Sequence, residues 1–210
     1  MARAEDLTAL RQGAERWQAW RLGRSFVRME PHPFQPDLSH ADLSDIDLPL
    51  VDLSGANLRG VNLQHANLIG ANLQGANLRG ADLSHANLIG TDFSAASLRG
   101  ADLSYAQLER TSLSRADLHC ATLNHANLSK ANLYEAELVR AFLYSANLTK
   151  ANLVRTHLTG AYLAEADFTE ANLLEVDFRW AILHKALFHS ATLRDLQLQG
   201  AVITGSSLDT

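Results

Sequence analysis

From Pro36 to Thr210 an apolar residue returns at every fifth position without a break: PDLSH, ADLSD, IDLPL, VDLSG, ANLRG, and so on to SSLDT. That is 175 residues, or 35 pentads, with no insertion or deletion. Label the centre of each pentad i. It is leucine throughout except for Phe93, Phe168, Phe178, Phe188 and Ile203. Position i−2 is small, mostly Ala, with Val51, Val61, Val176, Thr91, Thr111 and Thr156 among the exceptions. Position i−1 is mostly Asn or Asp, and i+1 and i+2 are mostly polar or Gly. A period of five fits neither the 3.6 of a helix nor the 2 of a strand, so no straight element keeps these leucines on one side. A chain that bends at every pentad does. Four pentads closing one square coil of about 20 residues would set each leucine on the one a coil earlier. Ten of the 12 glycines, from Gly55 to Gly205, lie in the repeat, all at i+2. A corner that favours positive φ selects glycine at one fixed offset.

Repeats of the form A(D/N)LxX, as in ANLRG, ADLSH and ANLSK, resemble the pentapeptide-repeat family, and the resemblance covers about five sixths of the chain. It implies an all-β fold: a right-handed quadrilateral parallel β-helix of about nine coils, with i and i−2 inward and an N-terminal α-helical cap. At an inter-strand rise of about 4.8 Å the rod would be roughly 40 Å long.

The N-terminal segment has a different pattern. Residues 2–29 predict helix, with Leu7, Leu10, Ala14 and Trp17 on one stripe, widened by Trp20 and Leu22. Gly23 is expected to end the first helix, with Phe26, Val27 and Met29 beginning a short second one. PHPFQP, Pro31 to Pro36, reads as extended linker. The expected organisation is therefore a helical cap over 1–30, a linker over 31–36 and the β-helix over 36–210. The segment Leu10–Arg21 is similar to the helix often attached to such repeats. A cap would cover the leucines and unpaired edges of the first coil. Asp37, Asp42, Asp47 and Asp52 form an acidic collar at i−1 of that coil, to which an Arg-rich helix could dock; alternatively, Asp merely suits i−1 as Asn does. Pro49 is tolerated there because a first coil is an edge.

Charge and composition narrow the function classes. The net charge of −5 divides into +2 over residues 1–35 and −7 over the repeat, which argues against nucleic-acid binding. Cys120 alone allows no internal disulfide. The N-terminus carries Arg3, Glu5 and Asp6 and no apolar signal region, and no apolar run reaches membrane-spanning length. A soluble cytoplasmic protein is expected.

Residues 20 apart share an outward column. Arg59, Arg79 and Arg99 run beside Gly60, Gly80 and Gly100 and could contact an anion, or could pair with Asp82 and Asp102. Arg110, Lys130, Lys150 and Glu170 form a second column. Arg115, Glu135, Arg155 and Glu175 form a third, which reads as a surface ion-pair ladder. His65, His85 and His125, interrupted by Tyr105, read as a stacked aromatic ladder rather than a metal site. In the most informative column Phe142, Tyr162, Ile182 and Val202 replace Asn or Asp at i−1, with Tyr144 and His184 on the same face and Trp180 at the corner before it. A contiguous apolar stripe of this kind marks an interface, with another protein, a second copy or the chain's own N-terminal helix folded back.

No nucleophile elbow, phosphate loop or metal-spaced His/Cys set is present, so no enzyme, cofactor or small-molecule substrate is expected. The leading expectation is a non-enzymatic structural or protein-interaction module, contacting a protein or itself through its C-terminal coils. The alternative implied by the family resemblance is a DNA-mimicking, topoisomerase (gyrase)-binding protein.

Overall fold

The computed structural model describes residues 2–27 and 35–208. From Asp37 onward the chain is a regular parallel solenoid. Thirty bridges join residues 20 apart, from Asp37↔Asn57 to Ile182↔Val202, all parallel and all at position i−1. Four pentads therefore make one coil. Faces 1 to 4 are numbered here by the centres Leu38, Leu43, Leu48 and Leu53 of the first coil. Each face contributes a single bridging residue per coil, so no extended strand develops between corners.

The pentad's composition follows from where its five amides go. In 76–80, the amide of Ala76 donates to the carbonyl of Leu73 at 3.0 Å and closes the preceding turn. Asn77 donates back one coil to Ala56 at 2.9 Å. Leu78 and Gly80 donate forward to Ser97 at 2.7 Å and Arg99 at 2.9 Å. The amide left over, that of Arg79 at i+1, is taken by the side-chain oxygen of Asn77 at 3.3 Å. Asn or Asp at i−1 thus satisfies the one backbone donor that the solenoid itself cannot. The Asn side chains also form ladders, as in Asn152 Nδ2 to Asn132 Oδ1 at 2.9 Å.

The centres and the i−2 residues fill the interior. Leu123 and Ala121 are both fully buried, as are nearly all their equivalents. Inward threonines are satisfied through their hydroxyls: Thr91 donates to the carbonyl of Leu68 at 2.8 Å, and Thr156 to that of Leu133 at 2.8 Å. Towards the C-terminal coils the larger centres Phe168 and Phe188 stack at 4.9 Å, with Phe178 edge-on to both.

Every described i+2 corner adopts positive φ, whether or not it is glycine: 24 other residues, Trp180 and Glu165 among them, sit at φ between 51° and 61°. Glycine at this offset reflects a preference, and the inter-coil bonds impose the conformation on the rest. At Gly200 glycine is favoured for a second reason, because the Trp180 indole lies where a Cβ would stand.

The N-terminal segment forms α1 (Ala4–Leu10) and α2 (Ala14–Val27). The break falls at Gly13, with φ +98°, rather than at Gly23, which lies within α2. An interior glycine weakens a helix by only about 1 kcal/mol, whereas the αL-side φ at Gly13 ends one. The expected second segment begins inside α2, and Met29 with Pro31 to Phe34 lies outside the described residues.

Both helices are bonded to the first coil. Ala2 and Arg3 donate their amides to the carbonyls of Ser39 at 2.9 Å and Asp37 at 2.8 Å. Asp6 accepts the Asp37 amide at 2.7 Å. Burial pushes its carboxyl above the usual range, partly offset by that bond. Trp17 Nε1 donates to the Asp52 carbonyl at 2.7 Å, and Arg21 to the carbonyls of Asp52 at 2.6 Å and Ser54 at 3.1 Å. These are the groups that an earlier coil would otherwise satisfy. The acidic collar contributes less than its charge suggests: Arg21 reaches the Asp52 carboxylate at 3.4 Å, but Arg11 bonds to the Asp42 carbonyl instead. Trp17 and Leu10 are fully buried, and Trp17 stacks on Trp20 at 5.1 Å. The helices therefore meet the end of the rod and do not fold back along the Phe142 to Val202 stripe.

Candidate interaction face

Face 2 gathers the aromatic surface of the molecule. Its i−1 column continues from Thr122 through Phe142, Tyr162, Ile182 and Val202, bridge by bridge. Phe142, Tyr162 and Val202 are exposed, at 40%, 44% and 47%, while Ile182 is half-buried between its neighbours. The rings of Phe142 and Tyr162 stack at 4.9 Å and 7°. Without a side-chain acceptor at Phe142, the amide of Tyr144 turns to Asn124 Oδ1 of the preceding coil, at 2.9 Å. Tyr144 is exposed and donates its hydroxyl to Glu165 Oε2 at 2.8 Å, which holds the Glu165 carboxyl below its usual range. His184 is exposed on the same face. Trp180, 62% exposed, stands at the corner between faces 1 and 2 beside Arg140 and Gly160. Six of the seven residues expected to form the interface thus share face 2, while Trp180 stands at its corner beside Val139 and Thr159 of face 1.

The column on the opposite corner of the same face extends this surface. His65 stacks on His85 at 5.1 Å, His85 on Tyr105 at 5.0 Å and Tyr105 on His125 at 4.8 Å. His125 meets Tyr144 edge-on at 5.3 Å, so the ladder runs into the stripe. Among the described residues no group of three His, Cys, Asp or Glu side chains is placed to hold a metal. Leu187, 40% exposed at i−1 of face 3, is a neighbouring apolar residue that sequence reading passed over. The signal was available, since Leu187 breaks the same Asn/Asp rule as Phe142. A separate apolar spot, Leu50 and Ile69 on face 3, lies near the cap and was not anticipated.

The charged columns are mixed in sign. Arg115 binds Glu135 at 2.9 Å, and Arg155 reaches Glu135 at 3.7 Å and Glu175 at 2.9 Å, as the alternating ladder predicts. Lys130 pairs with Glu109 at 3.3 Å and Lys150 with Glu170 at 3.4 Å. In the Arg59, Arg79, Arg99 column, Arg99 contacts Asp117 of its own face at 3.3 Å, not Asp102. Asp82 is taken by Gln64 Nε2 at 2.7 Å and by Ser84. The expected pairing across the corner is therefore replaced by bonds along each face, because consecutive coils bring i−1 and i+1 of one face together.

Asp177 is the most enclosed carboxylate of the rod, with its side chain 5% exposed. Burial raises its pKa, but bonds from the Arg179 guanidinium at 2.6 and 2.9 Å, the Arg179 amide and the Thr159 hydroxyl outweigh this and hold it below the usual range. A depressed acid stabilises the fold above its unfolded pKa of about 3.9 and loses that contribution as pH falls through the folded value. Asp177→Asn is accordingly expected to lower stability by about 1 kcal/mol at pH 7 and to flatten the loss below about pH 4. Urea midpoints of both proteins at pH 7 and pH 3 check this; parallel pH dependences would contradict it.

The family model described as pentapeptide repeats matches residues 37–75, 76–115, 111–149, 146–184 and 171–209. Among solved structures, HetL from the cyanobacterium Nostoc sp. strain PCC 7120, a pentapeptide repeat protein involved in heterocyst differentiation regulation, is 30% identical over 89% of this chain and 93% of its own, with a TM-score of 0.33. Rfr23, from the cyanobacterium Cyanothece 51142, is 35% identical over 40% of this chain, a match that spans 58% of Rfr23, with a TM-score of 0.40. QnrB1, a plasmid-mediated fluoroquinolone resistance protein, is 21% identical over 66% of this chain and 75% of its own, with a TM-score of 0.36. No curated protein matches the chain. The likeness lies in the repeat itself, matched from residue 37 to 209, and in the identity to HetL. With its pentad register unbroken, the chain belongs to the family of pentapeptide repeat proteins.

Proposed function

We propose that this protein is a non-enzymatic rod, coiled right-handedly like the family it belongs to, which works in the cytoplasm by presenting face 2 to a protein partner. The observation that carries the reading is the exposed stripe from Phe142 to Val202, flanked by Tyr144, Trp180 and His184. These residues sit at i−1 and i+1, where Asn, Asp or small polar residues would satisfy the backbone better. An apolar row that gives up such hydrogen bonds and stays in water needs a use beyond folding. The column Arg59, Arg79, Arg99 remains a secondary candidate for contact with a carboxylate of the same partner.

The DNA-mimic alternative calls for a continuous acidic surface. The alternation of Arg115, Glu135, Arg155 and Glu175, and the basic run Arg110, Lys130 and Lys150, favour the apolar face over that reading. No helix of the described residues is long and apolar enough to cross a membrane.

The test is the double substitution Phe142→Asp with Tyr162→Asp. Both side chains are exposed, so melting should shift by no more than a few degrees, while the oligomeric state or partner capture changes. Unaltered mass by light scattering together with unaltered partner capture would show that the stripe is idle.

A further inference from the structure

We infer that the occupant of face 2 is an amphipathic α-helix with acidic flanks, laid along the rod between Tyr144 and Val202; this rests on the reading of that face as a contact surface. The other modes of recognition are closed by geometry. Along the faces the backbone donors are already spent: Leu143 and Leu163 donate to the next coil at 2.7 Å, and Phe142 and Tyr162 to the previous one at 2.9 Å. No lateral strand edge is left to accept an added strand. Planar ligands fare no better at the aromatic rows. The faces of Phe142 and Tyr162, and of the His65 to His125 ladder, are consumed in stacking on one another at 4.8 to 5.1 Å. They present edges outward, where a base or a sugar ring finds no flat platform.

A helix fits in period and in width. The stripe residues are one coil, about 4.8 Å, apart, and a helical turn is 5.4 Å long. Inclining the helix by roughly 25–30° brings one turn over each coil. A strand, whose same-side residues repeat at about 6.8 Å, keeps step only when inclined by about 45°, which carries it off a face about 10 Å wide within two coils. Each face is also only as wide as a single pentad, comparable with one helix of about 10 Å diameter.

The charges on the rims fix the sign of the flanks. Arg140 lines one corner beside Trp180 and Gly160, and Lys185 the other. Glu165 is engaged by the hydroxyls of Tyr144 at 2.8 Å and Ser145 at 3.2 Å. Asp177 is held by Arg179 and Thr159. Arg179 and Asp177 offset each other, which leaves Arg140 and Lys185 on the rims against the single carboxylate of Glu165, already engaged by two hydroxyls, so this part of a net acidic chain favours an acidic helix.

The experiment uses the full chain and labelled synthetic 18-residue helices read by fluorescence anisotropy. One peptide carries leucines at i, i+4, i+7 and i+11 with glutamates flanking; a second has the same composition scrambled; a third has lysine flanks. The acidic helix is expected to bind in the micromolar range, at least tenfold tighter than the scrambled peptide and severalfold tighter than the lysine-flanked one at low salt. Phe142→Asp with Tyr162→Asp should weaken it at least tenfold, and Val202→Lys, at the outer end of the stripe, should do the same should the double variant melt early. Equal binding of the scrambled peptide, binding indifferent to these substitutions, or no binding would each overturn the helix. A wild-type dimer that the double substitution dissociates would identify a second copy as the occupant, overturning the helix but leaving the face. Failure of the peptides together with unchanged mass and partner capture in the double variant would remove the contact face as well.

Discussion

Leu123→Asp is expected to abolish the cooperative unfolding of the rod. Leu123 is fully buried on face 2, its amide donating forward to the Phe142 carbonyl at 2.6 Å. Its neighbours in the interior are the leucines and alanines of adjacent coils, none of which can pair with a carboxylate. An ionised group there has no partner and forces either protonation or water entry, at a cost of several kcal/mol. Because a solenoid is held by nearest-neighbour stacking, the damage should divide the molecule into two shorter stacks on either side of the defect. Limited proteolysis cutting near residue 123, with a broadened or lowered thermal transition by circular dichroism, is the expected result. A single melt at the wild-type temperature would contradict the inward placement of the pentad centres. Loss of the 123 coil would also misalign Phe142, so this variant should lose whatever face 2 binds.

Trp17→Ala should be the most damaging change in the N-terminal helices. The indole is fully buried, stacks on Trp20 at 5.1 Å, and donates Nε1 to the Asp52 carbonyl at 2.7 Å. Truncating a buried tryptophan removes about 3–5 kcal/mol of packing, and the carbonyl left behind loses a bond worth about 1 kcal/mol. That is a large fraction of the ~5–15 kcal/mol by which a native domain is stable. Two short helices held by a handful of bonds should release the first coil. The freed end presents the carbonyls of Asp37, Ser39, Asp52 and Ser54 above a disc of leucines, an edge that pairs with other chains. Concentration-dependent aggregation on mild heating, measured by light scattering, is the expected readout. A protein that stays monomeric through its melt would show that α1 and α2 are dispensable for covering this end.

Much of this was legible in the pentads. That centres such as Leu123 point inward follows from the period, since only a chain bent at each repeat can bury them all; that Ala121 joins them came with the family resemblance. The square coil of four pentads was also the resemblance's contribution, and the bridges at a spacing of 20, the His65 to His125 stack and the Arg115 to Glu175 ladder follow from it. Less legible was why Asn and Asp occupy i−1. Their role is to accept the amide two residues on, as Asn77 does for Arg79, and no spacing rule reveals it. Glycine at i+2 marked a corner that favours positive φ, but not that Glu165 and Trp180 would take the same φ. The forward bond from each such amide, as from Trp180 to the carbonyl of Gln199 at 3.0 Å, helps to hold a corner whose intrinsic strain is about 1 kcal/mol. The break at Gly13 rather than Gly23, and the turn of Arg11 to a carbonyl rather than to a carboxylate, are set by the shape of the rod's end, which exists only once the coils have closed. Of the contact face, the stripe was visible as a departure from the Asn/Asp rule; its junction with the histidine ladder through Tyr144 was not, because it depends on an edge-on ring contact.

The unbroken spacing of 20 residues per coil also makes position on this molecule a matter of remainders. Any two residues of the repeat whose numbers differ by a multiple of 20 share a column, as Phe142 and Val202 do across three coils. Removing 20 consecutive residues from the middle of the rod would shorten it by one coil and return every later side chain to the face it came from. Removing five between His125 and Phe142 would leave the interior equally well filled but set everything beyond it back by a quarter circuit, so that the stripe from Phe142 to Val202 would move from face 2 to face 1 and part company with the His65 to His125 ladder. The interior is therefore blind to a loss of five residues, and only a surface that must run straight along the rod can register one.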